Sequence, residues 1–302
     1  MRWLVGKELS GGSRVMAFDN SNDGKTGGLG NQVGTRTVTR SCADSPTSNS
    51  SGVTSTVTIG PSCADAAAVI DELGGGDAIV FGHDWGAPIA WNTARLHADR
   101  VRAVAGLSVP YNPIGEIDPL ERWKDVYADR FFYQNYIATP SVAESEVSVD
   151  VARSLRLIYY AASGDADRSL FAPKGPDAGL LDDMIDPDPF PAWMSDDDLA
   201  VYVDAFESGG WTGPFNRYRA QGLDAAELGP LPDKQIHQPA AFVAGELDGV
   251  RNFVPGTDLY AHAGDALTDL RVTSIIPGIG HWVQQEAPAA TNAALAEFLD
   301  TL

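Results

Sequence analysis

Residues 78–91, AIVFGHDWGAPIAW, place one carboxylate where it could do chemistry. The apolar run predicts a buried strand and the residues after it predict a helix, so Asp84 falls at the tight turn between them. Gly82 and Gly86 allow the strand and the helix to approach closely around a strained residue. A carboxylate at such a turn suits attack on saturated carbon, giving an alkyl-enzyme ester. An aspartate that only caps the helix is commoner in general, but the full motif favours a nucleophile.

Water has to hydrolyse an ester on Asp84. This step needs a base, and an acidic residue that orients the base. His281, in PGIGHWVQQEAP, follows a predicted strand within a glycine-flanked loop and can reach the carboxyl edge of the sheet. Asp248, in FVAGELDG, comes just after another predicted strand and can orient the imidazole. Glu246 is the alternative acid, although the phase of the strand favours Asp248. The chain order is therefore nucleophile, acid, base.

The other four histidines are interpreted as structural. His83 is expected to pack or to bond the backbone beside Asp84 rather than to act as a base. His97 and His237 are expected to be surface residues without a partner. His262 is expected to be structural or exposed.

Composition limits the class of protein. The 302 residues carry a formal charge of −20, which argues against nucleic acid and anionic membrane surfaces as partners. A hydrophobic fraction of 44% with seven tryptophans can fill a large core. The two cysteines, Cys42 and Cys63, lack metal-ligand spacing, so we expect neither a metal site nor a disulfide scaffold. The absence of a signal-peptide pattern and of a membrane-spanning run predicts a soluble cytoplasmic protein.

Strands and helices alternate after residue 62, which predicts right-handed crossovers in a parallel sheet. The predicted core elements are a helix at 64–74, a strand at 77–82, a helix at 87–100 and strands at 101–110, 239–245 and 271–278, with a closing helix at 290–302. We therefore assign 62–112 and 231–302 to an α/β core. Residues 113–230 contain amphipathic helical stretches broken by DPDPFPAW, and they predict a helical lid inserted into that core.

Residues 1–61 differ in composition. Between Ser21 and Gly60, 22 of 40 residues are Ser, Thr or Gly and none is aromatic, so little apolar surface offsets the cost of ordering the chain. We expect this segment to be poorly ordered, with weak strands at most at 13–18 and 54–60.

Three separated motifs, GHDWGAPIAW, RVRAVAGLSVPY and GHWVQQEAP, resemble those of the α/β-hydrolase-fold epoxide hydrolases of the soluble bacterial and plant type. The resemblance covers about residues 62–302. It implies an α/β-hydrolase fold, in which a mostly parallel sheet has flanking helices and carries an inserted helical lid. It further implies that Asp84 attacks an epoxide and that His281, oriented by Asp248, activates the water that releases a vicinal diol. No cofactor or metal is implied.

The same resemblance implies two lid tyrosines that hydrogen-bond the epoxide oxygen as it becomes an alkoxide. Tyr133 in FFYQNYI and Tyr218 in GWTGPFNRYR match these positions. A phenol suits this role because it is neutral at pH 7 and donates to a developing oxyanion. The backbone N–H of Trp85 is expected to be one oxyanion donor toward the ester intermediate.

Two alternatives remain open. The first is a haloalkane or haloacid dehalogenase with the same Asp84 nucleophile. Haloalkane dehalogenases share the fold and an aspartate nucleophile, and there the indole matching Trp85 binds the leaving halide. The tyrosine-bearing lid motifs favour epoxides over halides. The second alternative is a catalytically impaired hydrolase-like protein.

The impaired alternative arises because the first part of the chain departs from the family. No histidine precedes His83, so the HGxP-type loop that supplies a second oxyanion donor is absent, as is an RGxGxS-type segment. The N-terminal strands are thus missing or replaced. Three explanations would account for this departure: a divergent replacement, a truncation, or an out-of-frame segment. The composition of residues 1–61 best suits an out-of-frame segment. Without earlier strands, the strand at 77–82 would expose an unpaired apolar edge.

Overall fold

The computed structural model describes residues 58–167 and 169–302, together with the backbone of three short strands that precede them. These strands are β1 (Arg2–Val5), β2 (Arg14–Asp19) and β3 (Arg36–Val38). The later strands are β4 (Ala78–His83), β5 (Val101–Leu107), β6 (Ala240–Gly245) and β7 (Leu270–Ile276).

The seven strands form one sheet in the order β3-β1-β2-β4-β5-β6-β7. From β2 to β7 neighbouring strands are parallel, whereas β1 is antiparallel to both of its neighbours. The carboxyl ends of β4, β5, β6 and β7 therefore meet at one edge, where the segments that follow them can converge on a site.

All six residues of β4 are buried because helices cover both faces of the sheet. Side chains alternate along a strand, so Val80 packs with α1 (Ile59–Glu72) and α2 (Gly86–Leu96) on one face. Ile79 and Phe81 pack on the other face, against residues of α10 (Val283–Glu286) and α11 (Pro288–Asp300). The predicted core strands and helices thus occur close to their expected bounds.

The N-terminal segment takes part in the sheet. β2 matches the strand predicted at 13–18, and it pairs with β4 from Arg14 opposite Ala78 to Phe18 opposite Gly82. β4 therefore has a neighbour on each side, and the expected unpaired edge does not occur there.

The strand predicted at 54–60 is wrong where the structure can test it. Thr58 is the N-cap of α1, and Ile59 and Gly60 form its first turn. Ile59 is buried in the core beneath the sheet, so tertiary packing overrides its β propensity. Residues 54–57, and most of the segment expected to be poorly ordered, lie outside the described residues.

Seven helices lie between β5 and β6 in the described chain. Several of them share an apolar cluster of their own, which includes Leu155, Tyr202, Trp211 and Phe215. Trp282, from the segment after β7, packs against this cluster and connects it with the sheet edge. The helices are α3 (Pro119–Val126), α4 (Tyr133–Ala138), α5 (Val142–Val147), α6 (Val151–Ala162), α7 (Asp196–Gly209), α8 (Thr212–Arg219) and α9 (Gln221–Leu228).

The proline-rich break predicted between two of these helices lies between α6 and α7. There Ser195 begins α7 through a capping box with Asp198.

Within the described ranges, no helix has both the length and the apolar character needed to cross a bilayer.

Candidate active site

Asp84 occupies the turn between β4 and α2 with a φ of +49°, in the left-handed region that few residues other than glycine adopt. Close packing on either side explains why the turn is so tight. A Cβ at Gly82 would lie 2.1 Å from the carbonyl oxygen of Gly86, so only glycine fits there. The strand and the helix therefore hold the Asp84 side chain at the carboxyl edge of the sheet.

The structure brings His281 between two carboxylates. Its Nε2 lies 3.4 Å from Asp84 Oδ1, and its Nδ1 lies 3.0 Å from Asp248 Oδ2. The backbone of His281 is fixed as well, because its carbonyl oxygen lies 2.7 Å from Ser108 Oγ and 2.8 Å from His83 Nε2. His83 thus bonds the backbone, as its sequence context predicted.

Asp248 is 1% exposed and is surrounded by donors. It accepts hydrogen bonds from the Val250 backbone N–H at 2.9 Å and from the Tyr260 hydroxyl at 2.8 Å, in addition to His281. The alternative acid, Glu246, is exposed and accepts from the Gly278 N–H instead. The geometry therefore places Asp248, and not Glu246, beside the imidazole.

The two carboxylates set the protonation state of the imidazole. Burial lowers the pKa of His281, but the charges and hydrogen bonds of Asp248 and Asp84 outweigh burial and raise it to about 10. Burial likewise opposes ionisation of Asp84, but His281 and the Trp85 backbone N–H together hold the pKa of its carboxyl below the usual value. The resting site thus contains an Asp84 carboxylate facing a histidinium.

Tyr133 and Tyr218 line the same pocket as Asp84. Their rings meet edge to face with centroids 5.6 Å apart, and Tyr218 contacts the Trp85 ring in the same manner at 5.3 Å. Burial, followed by the neighbouring phenol and Asp84, raises the pKa of Tyr133 well above its usual value. Burial and Asp84 also raise the pKa of Tyr218. Both phenols therefore keep their protons at neutral pH.

Asp84 and the two phenols line one pocket of about 160 Å³. The remaining wall is almost entirely apolar, with contributions from Leu155, Leu170, Leu180, Phe206, Trp211 and Phe215. A second cavity of about 140 Å³ is lined in part by Trp85 and Tyr111 and includes neither Asp84 nor His281. Of these two cavities, the first combines the Asp84 carboxylate with hydrogen-bond donors and space for an apolar molecule.

The remaining histidines lie away from this pocket. His237 is exposed as expected, but it is not without a partner, because its Nε2 lies 3.1 Å from Asp233 Oδ2. His262 is exposed and bonds Asp265 at 2.9 Å. His97 is half-buried at the end of α2. Cys63 is buried without a disulfide, and Cys42 lies outside the described residues.

Sequence reasoning missed several residues that support the site. Glu286 accepts three backbone N–H bonds, from Gly164 at 2.7 Å and from Gly280 and Trp282 at 2.9 Å each. It thereby fastens the loop that carries His281 to the end of α6. The position of Glu286 in the motif GHWVQQEAP, beside His281, could have indicated this supporting role. Tyr260 gave no such signal, because it lies in a short 3-10 helix far from any motif.

A buried ion pair supports the opposite side of the pocket. The Arg217 guanidinium lies 4.7 Å from the Trp85 ring centroid and pairs with Asp224. Asp224 also accepts a 2.7 Å hydrogen bond from the backbone N–H of Ile59 at the start of α1. This pair therefore connects α8 and α9 with the core.

In the family pattern the HGxP-type loop precedes the position of His83, and no histidine precedes His83 in this sequence. The segment that follows β2, residues 20–35, lies outside the described residues, so the loss of a second oxyanion donor stays a prediction. The Trp85 backbone N–H lies at the turn where the first donor was expected.

Comparison with known proteins shows the family to which the chain belongs. The alpha/beta hydrolase fold family matches residues 3–288. Epoxide hydrolase A of Mycobacterium tuberculosis is 37% identical over 243 residues, which cover 79% of this chain and 74% of that protein.

Solved structures give the same result. An epoxide hydrolase from an endophytic Streptomyces superposes with a TM-score of 0.75 at 36% identity, covering 85% of this chain and 76% of that one. Epoxide hydrolase A from Mycobacterium thermoresistibile gives 0.74 at 35% identity, with 81% and 76% covered. The chain therefore belongs to the alpha/beta hydrolase fold family and, within it, to the epoxide hydrolases.

Proposed function

We propose that the protein adds water to a small-molecule epoxide to give a vicinal diol, with Asp84 as the nucleophile. The observation that carries the proposal is that one carboxylate and two neutral phenols line the same largely apolar pocket, with His281 3.4 Å from the same carboxylate. An epoxide needs both parts at once, because its carbon is attacked while its oxygen gains negative charge.

In the first step an Asp84 oxygen attacks one ring carbon. The new C–O bond forms as the ring C–O bond breaks, and the electron pair of that bond goes to the ring oxygen. Tyr133 and Tyr218 donate hydrogen bonds to this oxygen, which favours the transition state. The alkoxide then takes up a proton from solvent. The His281 imidazolium releases one proton to solvent, so the number of protons is unchanged.

In the second step His281 acts as the base. Ester formation neutralises Asp84, so the imidazolium loses one of the two carboxylates that held its pKa high. The neutral imidazole accepts a proton from water as that water attacks the ester carbonyl, and the Trp85 N–H stabilises the oxyanion. Cleavage releases the diol and restores the Asp84 carboxylate and the histidinium.

We also propose that residues 113–230 act as a lid, since α4, α6, α7 and α8 supply most of the pocket wall. We further propose that the protein is soluble and cytoplasmic, and its charge of −20 supports the absence of nucleic-acid and anionic membrane partners.

A dehalogenase would use the same nucleophile but would need N–H donors for a halide. The donors that face Asp84 across the pocket include two phenols, which suit an oxygen leaving group. Incubating the protein separately with styrene oxide and with a 1-haloalkane, and assaying diol and halide, distinguishes the two reactions. We expect diol without halide; halide release would support the dehalogenase instead.

The covalent step is tested with His281→Gln, which should form the ester but fail to hydrolyse it. Mass spectrometry after incubation with styrene oxide should show a mass increase of one substrate on the peptide that contains Asp84. His262→Gln, which changes an exposed histidine, is the matched control and should turn over without accumulating the ester. Diol formation by native protein with no trapped ester in the variant would overturn the mechanism.

A further inference from the structure

We propose that Tyr260 is a positioning residue that holds Asp248 in line with His281 and shares the negative charge of Asp248. The inference rests on the proposed function, because it assigns to Tyr260 a role in the ester-hydrolysis step alone. It concerns a side chain that lies outside the substrate pocket.

The Tyr260 hydroxyl lies where two catalytic elements meet. It is 2.8 Å from Asp248 Oδ2, the same oxygen that accepts from His281 Nδ1, and 2.9 Å from the carbonyl oxygen of Ser108. Ser108 in turn bonds the His281 carbonyl through its hydroxyl at 2.7 Å. One phenol therefore bridges the acid and a residue that fixes the base.

A phenol has one proton, so it can donate to only one of these acceptors at a time. The charged acceptor forms the stronger hydrogen bond, which favours Asp248 over the Ser108 carbonyl. Tyr260 is 6% exposed and its ring packs on Phe242 of β6 at 5.0 Å, so the hydroxyl is held in place.

Other charged groups around this chain of hydrogen bonds do not replace the phenol. Arg251 lies 6.0 Å from the Tyr260 ring but is paired with Asp258 at 2.7 Å near the surface. The ionisable groups that face His281 from packed elements are Asp84, Asp248 and His83, whose ring centroid is 4.9 Å away.

The hydroxyl affects the base through Asp248. A carboxylate that accepts a hydrogen bond from a phenol has less charge available to stabilise the imidazolium next to it. Without the hydroxyl, Asp248 should therefore stabilise the protonated form of His281 more strongly. The pH needed to obtain neutral imidazole in the ester state then rises.

The test is the pH dependence of ester hydrolysis in Tyr260→Phe. Rapid-quench mass spectrometry with styrene oxide follows formation and decay of the Asp84 ester in single turnovers. We expect the acid limb, the fall of the ester-decay rate on the acid side of its pH profile, to shift to a higher pH by about 0.5–1 unit. The change in one charged hydrogen bond has this order of magnitude. Ester formation should change by less than about threefold.

Tyr111→Phe is the matched control, since Tyr111 is also buried and donates a 2.8 Å bond to a backbone carbonyl, that of Lys234. Its acid limb should not move. Fluorinated tyrosine at position 260 is a second variant that keeps the ring and strengthens the donor, so it should move the limb downward.

An unmoved limb in both position-260 variants, or an upward shift with fluorotyrosine, would overturn the proposal and leave Tyr260 as a packing residue. Failure of the native protein to form any ester would instead contradict the proposed function. The two failures are therefore distinguishable.

Discussion

The two sides of the pocket are built differently. On the sheet side, Asp84, His281 and Asp248 follow strands, and hydrogen bonds fix the backbone of His281 and the carboxylate of Asp248. On the helical side, the rings of Tyr133 and Tyr218 pack edge to face, and Gln134 Nε2 donates a 3.0 Å hydrogen bond to the Tyr133 hydroxyl.

This difference predicts two responses to substitution. Hydrogen bonds and glycine contacts at the strand ends allow little displacement, so a change there removes a chemical step. Aromatic packing tolerates changes that preserve volume, so a change on the helical side adjusts one step and leaves the rest intact.

The largest effect is expected for Asp84→Asn. Asparagine adopts a positive φ readily and keeps the shape of the turn, but its amide is not a nucleophile toward an epoxide. Diol production should fall by at least about 10⁴-fold, as for the loss of other nucleophiles. A melting temperature close to that of the native protein is the control, and substantial turnover of freshly prepared variant would contradict the assignment.

Tyr218→Phe and Tyr133→Phe test the helical side. Each should slow ester formation by roughly 10²-fold, because one donor to the developing alkoxide is lost while the ring remains. Ester hydrolysis should be unchanged in the same single-turnover experiment. Tyr127→Phe, whose hydroxyl bonds the Phe253 carbonyl outside the pocket, is the control. Equal slowing of both steps would mean that the phenols act on the sheet side as well.

The same contrast explains what the sequence could predict. Asp84, Asp248 and His281 follow apolar runs, and strand ends at one edge of a parallel sheet must converge, so local pattern located all three. Tyr133 and Tyr218 sit on helices where spacing alone says only that they are buried. Their assignment needed the resemblance to a family.

Residues that act through long-range contacts could not be predicted. Tyr260 reaches Asp248 through a loop whose path no local pattern specifies, and Asp224 contacts Ile59 across 165 positions of the chain. The misread strand at 54–60 has a similar cause. VTI has β propensity, but Thr58 caps a helix whose apolar face is buried against the sheet.

Arg217→Met tests how the helical side is joined to the core. It should lower the free energy of unfolding by about 3 kcal/mol, because the buried Asp224 carboxylate loses its partner. Adding Asp224→Asn should recover part of the loss. Chemical denaturation of both variants measures the change, and Arg100→Met, at an exposed pair with Asp71, is the control that should change little. An unaltered stability in Arg217→Met would show that aromatic packing alone holds this side.

The pH dependence of stability isolates the charges of the sheet side. The pKa of His281 is raised in the folded protein, to about 10, against a usual value near 6.5. A raised pKa contributes stability that is complete below the unfolded value and is lost as pH rises through the folded one. The melting temperature should therefore fall between about pH 6.5 and 10.

In His281→Gln this part of the fall should be absent, so the melting temperature of the variant should decline less than that of the native protein over this window. Asp84 does not contribute in this window, because its lowered pKa makes stability fall only on the acid side. His262→Gln should keep the native decline. Parallel curves for the native protein and His281→Gln would mean that the carboxylates do not hold the imidazole protonated, and the resting ion pair on the sheet side would have to be abandoned.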